Sequence, residues 1–263
     1  MRNHKLLYGI YERQLSHGLN PERIPAHVGV ILDGNRRWAK AVGNATSYGH
    51  RKGADKITEF LGWAREFGVQ VVTLWMLSTD NLSRSEAELA PLLSIIVDAT
   101  REIAANPEYR VQVVGDLNLL PEGVASELSQ IVAASAALGD AEGFYQGSLR
   151  LTVNVAIGYG GRHEITDAVR SLLRSYAERG MTLEQAADVL TIDDISEHLY
   201  TAGVPDPDLL IRTSGEQRLS GFMLWQSVHS EFYFCEAFWP DFRRVDFLRA
   251  LRDYGQRERR LGK

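Results

Sequence analysis

His27-Val28-Gly29-Val30-Ile31-Leu32-Asp33-Gly34-Asn35-Arg36-Arg37-Trp38 is the stretch that decides how this chain reads. An apolar, β-branched run ends in a carboxylate, a glycine, an amide and two guanidiniums. The run reads as a buried strand over 28–32, and Asp33–Arg37 as the loop at its carboxyl end. Open α/β sheets bind ligands at that end of their strands. An acid beside a cluster of arginines suits a divalent metal and a phosphorylated ligand, because Mg²⁺ takes oxygen ligands and shares them with phosphates. The plainer alternative is a polar loop in which Asp33 is a turn residue.

Working outward, strand and helix patterns alternate with short connections. Residues 50–67 carry Ile57, Phe60, Leu61 and Ala64 at helical spacing, and Gly68 closes the helix. A second strand is expected over 69–77, then a long helix over 85–105 whose first turn is rich in Glu, as the helix dipole favours. Strands follow at 110–115, 149–157, 209–212 and 232–235. Helices are expected at 121–138, 162–179, 182–190, 193–200 and 243–260, with a surface loop over 139–147. Alternation of this kind implies α/β architecture: six strands in a mostly parallel central sheet, with helices on both faces. No low-complexity linker, repeat or shift of composition divides the chain. One domain over 1–263 is expected, with 1–24 as an N-terminal extension.

Composition narrows the function classes. The chain has 263 residues and a formal net charge of −5, so no global basic field draws it to nucleic acid or anionic lipid. Its single cysteine, Cys235, excludes an internal disulfide framework and a cysteine zinc site. Cys235 reads as a small buried apolar residue. No run approaches the roughly 20 apolar residues of a membrane span. A cytoplasmic protein is expected, at most peripheral to a membrane. A lipid-like substrate would need an apolar tunnel within the fold.

Polar residues gather at four strand ends: Asp33–Arg37, Ser78–Arg84, Asn154 with Gly158–Arg162, and Arg212–Ser220. In a doubly wound sheet these ends share one edge, so Asp33, Arg37, His50, Arg84, Arg212, Arg218 and Ser220 are expected to converge. Gly158-Tyr159-Gly160-Gly161 precedes a helix and would bring backbone N–H groups near that crevice. The dinucleotide fingerprint, the phosphate loop with its lysine, His-Glu-x-x-His and Gly-x-Ser-x-Gly are all missing. Nicotinamide enzymes, P-loop hydrolases, zinc proteases and common serine hydrolases are thereby disfavoured.

From about Pro25 onward the motifs resemble those of the cis-prenyltransferases, the Z-isoprenyl diphosphate synthases that include undecaprenyl diphosphate synthase. The segments that carry the resemblance are 33–39, Tyr48-Gly49-His50, 77–81, 154–162, 206–220, 223–226 and 230–234. The resemblance implies a Mg²⁺-dependent transferase that joins isopentenyl diphosphate to an allylic diphosphate, makes a cis double bond and releases pyrophosphate. It implies that Asp33 ligates Mg²⁺ and that Arg37, with the backbone of Gly34 and Asn35, cradles the allylic diphosphate. Arg36, Trp38, Ser78, Thr79, Asp80 and Arg84 are implied as further substrate contacts. Asn81 and His50 are implied in proton removal and pyrophosphate release. Arg212, Arg218 and Ser220 would hold the second diphosphate, with Glu231 helping to organise the metal. A homodimer is also implied, with Arg260-Leu261-Gly262 near the partner's site and Phe232, Phe234, Phe238 and Trp239 near the interface.

Departures from the long-chain pattern are Thr46 in place of Arg, Asp80 in place of Glu, Leu82 in place of Trp and Gln217 in place of His. They resemble the actinobacterial short-chain members that make Z,E-farnesyl diphosphate. Met76 stands where long-chain members place a small residue. A bulky side chain there would fill the tunnel and stop elongation, or else Met76 is simply core. The leading expectation is a short-chain product made from geranyl diphosphate. Long-chain synthesis for a cell-wall lipid carrier, head-to-middle condensation and a non-catalytic subunit are the alternatives.

Overall fold

β1 (His27–Ile31) is buried at every position, as a strand flanked on both sides in a sheet covered on both faces must be. The computed structural model describes residues 2–141 and 150–257. β1 lies inside a six-stranded sheet with β2 (Val71–Ser78), β3 (Tyr109–Val114), β4 (Leu151–Tyr159), β5 (Leu209–Arg212) and β6 (Glu231–Phe234). The order is β3-β4-β2-β1-β5-β6 and all the pairings are parallel. The strands read from sequence match these to within two residues at each end.

The helices are α1 (Arg2–His17), α2 (Asn35–Ala41), α3 (Thr46–Glu66), α4 (Glu86–Ala104), α5 (Glu122–Ala141), α6 (Gly161–Glu178), α7 (Leu183–Val189), α8 (Ile192–Ser196) and α9 (Arg244–Gln256). α3, α4, α5 and α9 bury Ile57, Phe60, Leu93, Ile96, Leu128 and Phe247 against Val28, Val30, Leu74 and Val155 of the sheet. A smaller apolar layer on other strand positions joins Ile31, Tyr159 and Leu210 to Phe222 and Met223, which arrive on the segment after β5. Buried area on this scale, at roughly 25 cal/mol per Å², supplies most of the drive to fold.

Several expectations change. Residues 35–41 form a helix rather than a loop, because Gly34 turns the chain at φ +104° and Trp38 N–H bonds back to Gly34 O at 2.8 Å. A Cβ at Gly34 would meet Phe238 Cδ1 at 2.6 Å, so the turn admits no side chain. The N-terminal segment is no loose extension: Leu15 of α1 is buried with Val245 and Leu248 of α9. Trp239 belongs to the core, not an interface. It is 0% exposed, stacks on Phe242 and donates to Gly53 O. Asn154 lies inside β4, not at the sheet edge. It is buried and bonds Thr73, which also bonds His27, in a polar chain across three strands. α5 continues through Ala141; residues 142–149, and Arg260-Leu261-Gly262, lie outside the described residues. Among the described residues no helix is long and apolar enough to cross a membrane.

Candidate active site

The sheet order reverses direction at β1, whose neighbours are β2 and β5. That switch opens a crevice at the carboxyl ends of the strands. Ile31 pairs with Arg212, so the chain leaving β1 passes directly beside the end of β5. Asp33 is pinned there by its backbone: its N–H donates to Thr213 Oγ1, and its carbonyl accepts from Thr213 Oγ1 and from Trp239 N–H. Its carboxylate accepts from Arg212 Nη2 at 2.8 Å on one oxygen and from Arg37 Nη2 at 3.2 Å on the other. Burial opposes ionisation of Asp33, but the hydrogen bond and charge of Arg212, helped by Arg37, outweigh it and hold the carboxyl below its usual range.

The two arginines reach outward from this acid. Arg37 also donates to Ser214 Oγ at 2.7 Å and Glu216 Oε1 at 3.1 Å. Glu216 pairs in turn with Arg218. Arg212 donates from Nη1 to Ser220 Oγ at 2.8 Å and to Arg218 O. Its side chain is only 7% exposed, yet its buried Nε has no hydrogen-bond partner among the described residues. Buried N–H groups of this kind are satisfied in nearly all native states, so this one is set for a ligand acceptor.

Across the crevice, Ser78 ends β2 and caps the turn by accepting from Asn81 N–H at 3.2 Å. Asn81 Oδ1 accepts from Arg84 Nη2 at 2.7 Å. Glu88, one helical turn beyond, pairs with both Arg84 and Arg36. His50, in the second turn of α3, is held down to about 4 by burial first and by the charge of Arg84 next. It is therefore neutral near pH 7.

These groups surround a cavity of about 470 Å³. Its lining combines Asp33, Arg36, Arg37, Arg84, Arg212 and Arg218 with the apolar side chains of Ile57, Met76, Leu92, Ile95 and Ile96. A cavity lined by both guanidiniums and apolar side chains suits an amphiphile with an anionic head. Met76 shares a face of β2 with Val72 and Leu74, so strand alternation brings it to the cavity wall, beside a register shift against β4 between Trp75 and Leu77.

All seven residues expected to converge line this cavity, as do Gly34, Asn35, Arg36, Ser78, Asp80, Asn81 and Met76. Three do not. Trp38 faces away and stacks on Tyr48 at 5.8 Å. Thr79 packs beside Gly160. Glu231 opens β6 in register with Leu209, at the opposite end of the sheet from Asp33, and pairs with Arg257. Within one chain Glu231 cannot share a metal with Asp33, because the length of a strand separates them. Nor does Gly161 N–H face the crevice, since Gly221 O accepts it at 2.8 Å. Sequence reasoning missed Glu88 and Glu216. The i,i+4 spacing of Arg84 and Glu88 was a usable signal.

Among the described residues no three His, Cys, Asp or Glu side chains cluster to cage a metal. The donor set still fits Mg²⁺, which keeps waters and substrate phosphates and needs only one or two carboxylates. Asp33 offers such a carboxylate at the mouth, 28% exposed.

The prenyltransferase family model, that of undecaprenyl diphosphate synthase, matches residues 31–262. The chain is 55% identical over 258 residues to isoprenyl transferase 1 of Streptomyces avermitilis, covering 98% of this chain and 96% of that one. It is 56% identical over 257 residues to the (2Z,6E)-farnesyl diphosphate synthase of Thermobifida fusca, covering 97% of each. Among solved structures, lavandulyl diphosphate synthase from Lavandula x intermedia in complex with dimethylallyl diphosphate superposes with a TM-score of 0.80 at 33% identity, covering 92% of this chain and 100% of that one.

Proposed function

From the premise that this chain belongs to the undecaprenyl diphosphate synthase family of prenyltransferases, we propose that it condenses isopentenyl diphosphate with an allylic diphosphate to a short-chain Z-prenyl diphosphate. Geranyl diphosphate is the donor and Z,E-farnesyl diphosphate the product in this reading, with pyrophosphate released. The observation that carries it is the cavity itself: two arginine groups meet at Asp33 in a cavity also lined by apolar side chains, Met76 among them.

The chain's residues divide the work. Arg37, with the backbone N–H groups of Gly34 and Asn35 at the start of α2, receives the allylic diphosphate. Asp33 would hold a Mg²⁺. When bound there, the ion would supply charge neutralisation for the leaving pyrophosphate. Arg212, Arg218 and Ser220 hold the diphosphate of isopentenyl diphosphate, Arg212 through the planar fork that phosphates prefer. As the allylic carbon–oxygen bond breaks and the new carbon–carbon bond forms, the joined unit loses a proton. Neutral His50 and Asn81 stand on the wall where that proton and the leaving pyrophosphate are handled. A homodimer through β6 is part of this reading. That strand is the sheet edge, with Phe232 stacked on Phe234 and Phe234 exposed.

The deciding experiment incubates the protein with Mg²⁺, labelled isopentenyl diphosphate and, separately, dimethylallyl, geranyl and E,E-farnesyl diphosphates. A single fifteen-carbon Z,E product from geranyl diphosphate is expected. Products of about ten isoprene units would return the long-chain reading, and a branched product the head-to-middle one. No turnover, with or without EDTA, would leave a non-catalytic subunit.

A further inference from the structure

Gly158-Tyr159-Gly160-Gly161 ends β4 and opens α6, and none of it lines the cavity. It grips the back of the segment that carries Arg218 and Ser220. Gly161 N–H donates to Gly221 O at 2.8 Å, and a Cβ at Gly161 would strike that oxygen at 2.6 Å. The Tyr159 hydroxyl accepts from Met223 N–H at 3.2 Å and donates to Glu164 Oε2 at 2.5 Å. Glu164 Oε1 accepts from the Gln226 amide at 3.0 Å and from Tyr200 N–H at 3.1 Å. The other amide hydrogen of Gln226 goes to Thr201 Oγ1 at 2.8 Å.

Glu164 is 0% exposed. A buried carboxylate is an expensive way to fill space unless its hydrogen bonds do something an apolar residue cannot. Here both oxygens are used, and the donors lie on three separate stretches of chain. The segment they hold is strained. Ser214, Ser220 and Met223 sit at φ +79°, +51° and +48°, the left-handed region that non-glycine residues avoid. Such conformations persist only where surrounding contacts impose them. In that conformation Ser220 Oγ lies 2.8 Å from Arg212 Nη1.

We propose that Glu164 is the positioning residue for the diphosphate-binding face formed by Arg212, Arg218 and Ser220. Through Tyr159 and Gln226 it clamps Met223 and residue 226, and so holds Ser220 and Arg218 against Arg212. It touches no substrate. The assignment rests on the reading that this face binds isopentenyl diphosphate.

The test compares wild type with Glu164→Gln and with Tyr159→Phe, which removes only the hydroxyl between Glu164 and Met223. KM for each substrate, kcat, thermal midpoint and calorimetric titration with inorganic pyrophosphate are measured. KM for isopentenyl diphosphate should rise roughly tenfold, as expected for losing a buried hydrogen-bonded anchor, while KM for the allylic diphosphate changes less than about twofold. Both KM values unchanged, or both raised equally, overturn the assignment, even if the thermal midpoint falls. If Glu164→Gln does not fold, Tyr159→Phe decides by the same criteria. Should wild type turn over no substrate pair, the functional reading fails and pyrophosphate binding alone judges Glu164. Roughly tenfold weaker binding by Tyr159→Phe supports it; equal binding, or none by wild type, overturns it.

Discussion

Asp33 and Arg212 stand at the carboxyl ends of neighbouring parallel strands and meet at 2.8 Å, with Arg212 almost wholly buried and Asp33 at the mouth of the cavity. Each completes the other. The acid gives a buried guanidinium its counter-charge, and the guanidinium keeps the acid ionised at low pH. Proposed metal binding and proposed homoallylic binding are therefore joined at one contact.

Asp33→Asn should separate these roles. It keeps the shape but loses the charge that a Mg²⁺ needs. Turnover should fall by about 10²-fold or more, the scale seen when one transition-state charge contact is removed. KM for isopentenyl diphosphate should stay within a few-fold, because Arg212 keeps Ser220. Steady-state kinetics check this; a variant at near wild-type kcat would remove Asp33 from the chemistry.

Met76 lies beside a register shift in β2 and lines the cavity with Ile95 and Ile96. Met76→Ala should open room there and lengthen the product beyond fifteen carbons, read by radio-HPLC of the dephosphorylated prenols. An unchanged product length would make Met76 ordinary core.

Acid should weaken the fold through His27. Burial, only partly opposed by its bond to Pro205 O, lowers it to about 4, against 6.5 when unfolded. Between those values the unfolded chain holds a proton that the folded chain does not. Stability is therefore complete above about pH 6.5 and declines as pH falls toward 4, by about 3 kcal/mol in all from this one group. His50 is lowered to about 4 as well and acts in the same direction. Urea unfolding of wild type and His27→Gln at pH 7, 6 and 5 should show a flatter pH dependence in the variant. Parallel curves would refute the role of His27.

The β6 edge makes a fourth prediction. Phe234→Glu puts a charge on the exposed ring of the stacked Phe232–Phe234 pair. Sedimentation should show a dimer for wild type and a monomer for the variant. A monomeric wild type would sink the interface.

Most of the strand and helix plan was legible in the sequence, since apolar runs and helical periodicity are local signals. The convergence of Asp33, Arg37, His50, Arg84, Arg212, Arg218 and Ser220 was legible too, because parallel strands deliver their ends to one edge. The misplaced residues share a cause. Trp38, Thr79 and Glu231 are polar or aromatic residues near strand ends or turns, where linear order does not tell which side of an element faces the crevice, and Asn154 is a polar residue buried inside β4, bonded to Thr73. Glu231 lies in a motif with site residues nearby in sequence, yet the parallel register of β6 sends it to the far end of the sheet.

By itself the sequence determined the alternation of strands and helices, the family and the residue types gathered at the crevice, because these follow from local pattern and composition. Tertiary structure alone decided that Asp33 would share its carboxylate between Arg212 and Arg37, that Met76 would line the cavity, and that buried Glu164 would bond Tyr159 and Gln226. Those contacts join residues up to 179 positions apart. They depend on strand order, register and side-chain direction, none of which a linear pattern carries.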